Sequence, residues 1–145
     1  MQVDPRGQRF GAAVTSVVLV AVLVTGSGWV LAAQAVVFAV GAIFGLRYAP
    51  YGYLYRALVR PRIGPPKELE EEAPPRFAQG VGLGFALLGV VGYALGIMWL
   101  GVVATAFALV AAFLNAAFGF CLGCEMYLVI RRVVPTKNSD KEVPA

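Results

Sequence analysis

Charged and uncharged residues alternate in long blocks along this chain. All charged side chains fall in three segments, which are the N-terminus up to Arg9, the stretch from Arg47 to Arg76, and the tail from Glu125. The blocks between them, 10–46 and 77–124, contain 37 and 48 uncharged residues. About 20 apolar residues cross the roughly 30 Å hydrocarbon core of a bilayer. Each block is therefore too long for one transmembrane helix and has the length of two.

A break near the middle of each block divides it. The breaks are the segments GSGW at 26–29 and GIMWLG at 96–101. The pattern therefore predicts four spans, near 10–25, 29–45, 78–95 and 101–118. The first two are short, a mismatch that flanking aromatic and basic residues accommodate at modest cost. We expect an all-α membrane protein built from two helical hairpins.

Lysine and arginine indicate the orientation. All 12 basic residues lie in the three charged segments and none in the hairpin turns, where Trp29 and Trp99 mark the outer interface. We expect a multi-pass protein of the plasma (inner) membrane with both termini cytoplasmic. The net charge of +4 is spread along membrane edges, which indicates contact with the lipid bilayer and not with nucleic acid.

The two halves resemble each other. An offset of 67 aligns Arg9-Phe10 with Arg76-Phe77, and in each half a span, a tryptophan turn, a second span and a short cationic helix follow. We predict one membrane domain, 1–145, with repeat 1 at about 9–63, an acidic proline-rich linker at 64–75, repeat 2 at about 76–135 and a disordered tail at 136–145. Chance identity among alanine, phenylalanine and glycine remains an alternative.

A short amphipathic helix follows each hairpin. Apolar residues recur at helical spacing from Tyr51 to Val59 and again from Leu122 to Val133, with arginines turned away and a proline after each run. Such helices lie in the membrane interface. We therefore expect both on the cytoplasmic side.

Candidate chemistry is limited to one cysteine pair. The chain has no histidine, which excludes imidazole bases and mixed His/Cys zinc sites, and it shows no cofactor motif. Cys121 and Cys124 form a Cys-x-x-Cys where Gly119 ends the fourth span and the second amphipathic helix begins. A helix N-terminus lowers the pKa of a thiol, whereas apolar burial raises it.

Three interpretations of the pair stay open. The first is a dithiol/disulfide couple, transient and catalytic in a reducing cytoplasm. The second is a soft-metal site, which a homodimer would assemble from four thiolates. In the third, both cysteines are small apolar side chains that only pack.

Three polar residues lie near the pair. Glu125 follows Cys124 directly and could accept a thiol proton or simply complement the helix dipole. Asn115 precedes the cysteines by about one and a half turns and could bond across helices or line a pathway. Gln79 belongs to the same membrane face and is the last candidate of this polar patch.

Several segments resemble a known family. DPRGQRF, APYGYLYR with LVRPRIGPP, PPRFAQGVGL and FLNAAFGFCLGCEMY are similar to an uncharacterised family of small bacterial membrane proteins catalogued as domain of unknown function number forty-three ninety-five. The resemblance extends from Asp4 to about Pro135. It implies an integral membrane protein of about four spans, and an association with thioredoxin-like and sulfurtransferase proteins that favours thiol or sulfur chemistry by analogy only.

The preferred hypothesis is a membrane-embedded thiol-disulfide or sulfur relay. In it, Cys121 attacks a disulfide or accepts sulfane sulfur from a cytoplasmic partner, Cys124 resolves the intermediate and Glu125 assists proton transfer. The alternative is a non-catalytic scaffold or a small dimeric permease in which the cysteines only pack. Either protein would need no cofactor that the sequence identifies.

Overall fold

The structure, a computed structural model, describes residues 2–3, 5–64 and 70–134, and its described elements are almost all helical. In chain order they are β1 (Gln2–Val3), α1 (Pro5–Thr25), α2 (Gly28–Ala39) with a π-helical turn (Val40–Phe44), a 3₁₀ turn (Leu46–Tyr48), α3 (Pro50–Leu58), α4 (Arg60–Ile63), β2 (Glu70–Glu71), α5 (Ala73–Ala94), α6 (Met98–Phe118) and α7 (Leu122–Val133).

Three helices are long and apolar enough to cross a membrane. They are α1, α5 and α6, with 21, 22 and 21 residues. The second predicted span, 29–45, appears as a shorter apolar helix, Gly28–Phe44, in which α2 continues through the π-helical turn. The all-helical class is thus confirmed, and three helices have the length and composition of membrane spans.

Two helices, α1 and α5, begin before the apolar blocks at 10–46 and 77–124. Pro5 starts α1, and α5 begins at Ala73, with Pro74 in its first turn. A proline fits there because the first N–H groups of a helix have no intrahelical acceptor. Hydropathy marks only the apolar part of a helix, so these polar first turns were not predicted.

The end of α2 is irregular. Residues 40–44 adopt a π-helical turn, and Gly45 at φ +109° then stops the helix. Widening the turn leaves carbonyls that need other donors. Arg76 of α5 supplies them, because its Nε donates to the Ala42 carbonyl oxygen at 3.0 Å and its Nη2 to that of Ile43 at 2.7 Å.

The four long helices form a ring. α1 packs along α6, α6 along α5, and α5 along α2, while the contact between α1 and α2 that closes the ring is slight. The buried core runs through the middle of this bundle. Its members are Leu19, Val22, Leu31, Ala35, Phe38, Ala86 and Ala108.

Glycines on α5 allow its close crossings. A Cβ added at Gly92 would overlap the backbone of Gly101 on α6, and one added at Gly89 would overlap the Leu31 side chain of α2. Small residues at such points let helix backbones approach, which drives packing where lipid surrounds a bundle. The glycine-rich third span is therefore a packing surface within this chain.

The two short amphipathic helices dock in similar ways. Tyr55 of α3 packs on Phe10 of α1 with ring centroids 5.8 Å apart, and Tyr127 of α7 packs on Phe77 of α5 at 5.6 Å. The interplanar angles are 49° and 52°. Both contacts involve the phenylalanine that follows the arginine at the start of each half.

The end of the acidic segment, from Glu70, contacts other parts of the chain. Glu70–Glu71 pairs antiparallel with Gln2–Val3, and Glu72 is buried, with its Oε1 3.4 Å from Nη1 of Arg76. Glu72 therefore helps to hold Arg76 at the end of α2, where Arg76 donates to the Ala42 and Ile43 carbonyl oxygens. The predicted tail at 136–145 lies outside the described residues.

A polar contact also enters the bundle. The Tyr51 hydroxyl of α3 donates to Oε1 of Gln34, which is 1% exposed on α2, at 2.6 Å. Burial raises the pKa of the Tyr51 phenol, so the donor stays neutral at physiological pH. The first amphipathic helix is therefore anchored through its aromatic residues, while Leu54 and Leu58 remain exposed.

Candidate redox site at the start of α7

The break between α6 and α7 creates the site. Gly119, at φ +69°, ends α6 in the left-handed conformation that glycine adopts without strain. Its N–H donates to the Asn115 carbonyl oxygen at 3.0 Å, and the Phe120 N–H reaches that of Leu114 at 3.2 Å. The chain then turns into α7 within two residues.

Cys121 caps the new helix. It has extended backbone angles, and its Sγ accepts the N–H of Cys124 at 3.1 Å. The same two residues are joined by a disulfide, with Cα atoms 5.1 Å apart, and both are half-buried. The helix start predicted at this position is confirmed. The cysteines are close enough to bridge because one helical turn separates them.

The glycine inside the motif holds the site against α5. A Cβ added at Gly123 would stand 2.5 Å from the Cβ of Ala78 and 2.6 Å from its Cα. One turn further along, Tyr127 packs on Phe77. The first turns of α7 therefore lie directly on the first turns of α5, and the position of the cysteine pair depends on that contact.

Arg9 brings a positive charge to the site from the opposite end of the sequence. Its Nη2 donates to the carbonyl oxygens of Ala116 at 3.2 Å and Ala117 at 3.3 Å, in the last turn of α6. A Cβ added at Gly119 would stand 3.8 Å from the Arg9 Nε. The guanidinium thus lies beside Gly119, the residue that precedes Cys121 by two positions in the chain.

This charge changes the electrostatics of the pair. The C-terminus of α6 carries partial negative charge and the N-terminus of α7 partial positive charge, and they meet at residues 119–121. Arg9 offsets the partial negative charge of the α6 carbonyls, so the partial positive charge of the α7 amides is the one that acts on Cys121. Sequence reasoning missed Arg9 because it lies more than 100 residues from the cysteines in the chain. The alignment of Arg9-Phe10 with Arg76-Phe77 was the available signal.

The other polar candidates occupy different positions. Glu125 is exposed in the first turn of α7, where its N–H donates to the Cys121 carbonyl oxygen at 3.0 Å. Asn115 is half-buried, one turn before Gly119. Gln79 contacts the π-helical turn at Gly41, whereas Ala78 beside it faces α7. Glu125 therefore shares the first turn of α7 with the cysteines, whereas Gln79 is turned toward α2.

A metal site would need further ligands. Among residues 2–3, 5–64 and 70–134, no group of three or more His, Cys, Asp or Glu side chains lies together. The arrangement that the structure does show is a half-buried disulfide at a helix start, with Arg9 bound to the last carbonyls of the preceding helix.

Comparison with known proteins gives one finding. The model of a family described as Domain of unknown function (DUF4395) matches residues 3–132, most of the chain. The resemblance inferred from the sequence segments is thereby confirmed. Searches of curated proteins and of solved structures return no match.

Proposed function

We propose that this chain, which belongs to the DUF4395 family, is a membrane-embedded thiol-disulfide or sulfur relay. One observation carries the proposal, namely that Cys121 and Cys124 form a half-buried disulfide across the first turn of α7. Reactive thiol pairs occupy helix N-termini because unpaired backbone amides favour the thiolate. Arg9 supports the same state by offsetting the neighbouring carbonyls.

The disulfide-exchange step proceeds in two displacements. A thiolate of a partner dithiol attacks Sγ of Cys121, and Cys124 leaves as a thiolate. The second partner thiolate attacks the partner sulfur of this mixed disulfide, and Cys121 leaves in turn. The partner is oxidised to a disulfide, and the relay gains two electrons and two protons.

The reduced relay then passes the electrons on. The Cys121 thiolate attacks the disulfide of a second protein, and Cys124 displaces that protein as its dithiol, which restores the disulfide. Glu125, in the first turn of α7, accepts the thiol proton of Cys124 in this direction. Each direction of transfer consumes one disulfide and forms another, so no further cofactor is needed.

Sulfur transfer uses the same pair. The Cys121 thiolate attacks the outer sulfur of a partner persulfide. The partner's cysteine leaves as a thiolate, and Cys121 now carries the persulfide. Attack of Cys124 on Sγ of Cys121 then releases hydrosulfide and closes the disulfide. Cytoplasmic thioredoxin-like or sulfurtransferase proteins are the partners proposed for the two reactions.

We further propose that the bundle spans the plasma membrane four times, as two duplicated hairpins. Two contacts that recur across the halves support the duplication. Arg9 binds the last carbonyls of α6 and Arg76 those at the end of α2, and the ring pairs Phe10–Tyr55 and Phe77–Tyr127 have nearly equal geometry. In this arrangement the termini, α3 and α7 lie at the cytoplasmic interface, where the cysteine pair meets its partners.

A trapping experiment tests the relay. Cys124→Ser leaves Cys121 without a resolving thiol, so we expect an accumulated mixed disulfide that reductant releases, and none with Cys121→Ser. Cells are lysed in acid so that thiols are protonated before exchange can occur. If Cys124→Ser forms no adduct under oxidising growth, the cysteines pack without reacting, and the scaffold or permease alternative is favoured.

A redox titration gives an independent measurement. In inside-out vesicles labelled with a membrane-impermeant maleimide, a relay shows a reversible two-electron transition between about −200 and −300 mV, the range of known cytoplasmic thiol carriers. Labelling in these vesicles but not in right-side-out ones places the pair on the cytoplasmic side. Thiols that resist both oxidant and label would contradict both the relay and its orientation.

A further inference from the structure

A groove runs along the outside of the bundle between α1 and α6. Its volume is about 500 Å³, and carbon atoms line almost all of it. Val17 and Val20 contribute from α1, and Val110 and Phe113 from α6. The one polar side chain in the lining, Ser16, donates its hydroxyl proton to the Ala12 carbonyl oxygen at 2.8 Å. The groove therefore offers an apolar surface to its occupant.

Arg9 lies at one end of this groove. It precedes Ser16 by seven residues, or two helical turns, and so occupies the same face of α1. Its Nη2 binds the carbonyls of Ala116 and Ala117, one turn beyond Phe113 on α6. These bonds use one nitrogen of an exposed guanidinium that has five N–H donors. A cation with further donors thus stands two helical turns beyond Ser16, the nearest residue of the groove lining on α1.

The dimensions match one leaflet of a bilayer. Arg9 and Val20 are eleven residues apart, about 16 Å along a helix. Half of the roughly 30 Å hydrocarbon core is about 15 Å. A molecule with a charged head at Arg9 and an apolar tail in the groove would therefore lie as a phospholipid lies in a membrane.

The corresponding surface of the other half is filled and neutralised. Arg76 also binds helix-end carbonyls, but Glu72 lies 3.4 Å from its Nη1. Between α2 and α5, Phe38 packs so closely on Gly82 that an added Cβ would stand 2.9 Å from the ring. Of the two helix pairs α1–α6 and α2–α5, only α1–α6 has an open apolar groove. Its cation, Arg9, also has no carboxylate beside it in the described part of the chain.

We propose that the α1–α6 groove binds one anionic phospholipid, with an acyl chain along Val17 and Val110 and the headgroup phosphate on Arg9. Basic residues at the cytoplasmic ends of helices bind anionic headgroups, while the charge of a zwitterionic lipid is offset by its own amine. This site shares Arg9 with the surroundings of the cysteine pair but uses neither cysteine, and it holds whether or not the relay exists.

Native mass spectrometry of the full chain in detergent tests the site. The protein is titrated with phosphatidylglycerol and, separately, with phosphatidylcholine of the same acyl chains. We expect one phosphatidylglycerol to be retained in preference to phosphatidylcholine. Arg9→Gln should reduce that preference about fivefold, the equivalent of about 1 kcal/mol for one basic residue at an anionic surface.

Matched variants separate the headgroup from the groove. Arg76→Gln removes a cation in the same structural position of the other half and should leave the preference unchanged. Val17→Trp, at a position already 70% exposed, fills the groove without entering the core and should abolish retention of the first lipid. Val110→Trp repeats the test from α6.

Three results would overturn the proposal. Equal retention of the two lipids would mean ordinary solvation by the bilayer. Equal losses in Arg9→Gln and Arg76→Gln would mean a general attraction to basic residues. Undiminished preference in both tryptophan variants would mean that a headgroup binds without a chain in the groove. Unfolded variants are recognised by circular dichroism, and if one tryptophan variant unfolds, the other still tests the groove.

Discussion

Substituting Gly123 by alanine should undock the start of α7 from α5. The added Cβ would stand 2.5 Å from the Cβ of Ala78, whereas carbon atoms pack best at about 3.5–4.0 Å. The two helices must therefore separate by about 1 Å. The Tyr127–Phe77 contact one turn away would open with them, and the cysteine pair would shift because Gly123 lies inside its motif.

The expected cost is about 1–3 kcal/mol, the usual range for an extra methyl group in a packed contact. Gly84 provides the matched control, since an added Cβ there meets nothing within 4 Å. Gly84→Ala should stabilise α5 by about 0.5–1 kcal/mol, because alanine loses less conformational freedom in a helix than glycine does. The same substitution at two glycines thus has opposite predicted signs.

Unfolding of the purified protein by sodium dodecyl sulfate in mixed micelles measures both effects. Ala78→Gly in the Gly123→Ala background should recover part of the loss, since it removes the Cβ clash but leaves the Cα of residue 78 at 2.6 Å. The double-mutant cycle should yield a coupling of at least about 0.5 kcal/mol. If Gly123→Ala is as harmless as Gly84→Ala, or if the two substitutions at the contact are simply additive, the packing argument is refuted.

Two further predictions concern Arg9 and Tyr51. Arg9→Gln leaves the negative end of α6 without a cation and should move the pH profile of Cys121 alkylation in the reduced protein upward by about 0.2–0.7 pH units. Arg76→Gln should leave that profile unchanged. If Arg9→Gln and the unmodified protein have the same profile, Arg9 does not act on the redox site. Tyr51→Phe deprives the buried Gln34 oxygen of its donor and should destabilise the bundle by about 1–3 kcal/mol in the same unfolding assay. Adding Gln34→Leu should restore most of that loss, and a double variant less stable than Tyr51→Phe would contradict this account.

Sequence pattern predicted the local elements well. The limits of α7 follow from its apolar spacing, and the start at Leu122 follows from Gly119, because a glycine there ends one helix and lets the next begin. Hydropathy likewise located α1, α5 and α6, since burial in lipid requires continuous apolar sequence. Such signals are contained within about 20 residues of chain.

Contacts between distant segments could not be predicted in this way. Arg9 reaches α6 across more than 100 residues, and a polar residue near a span end is expected to face solvent. Glu72 looked like one more solvated acid, although Arg76 binds it one turn later. The Tyr51–Gln34 bond depends on where α3 docks, which its own amphipathic pattern does not specify.

The ring of helices has a consequence for how the protein is made. α1 makes only a small contact with α2, the helix that follows it, and packs mainly on α6, whereas α5 and α6 pack extensively on each other. In the proposed four-span arrangement, with the spans entering the membrane in order, the first hairpin leaves the translocon before either of its main packing partners exists. α1 and α2 would then lack their main packing contacts until the second hairpin arrives, so the N-terminal half made alone should be a substrate for membrane proteases, and co-expression of the missing half should protect it.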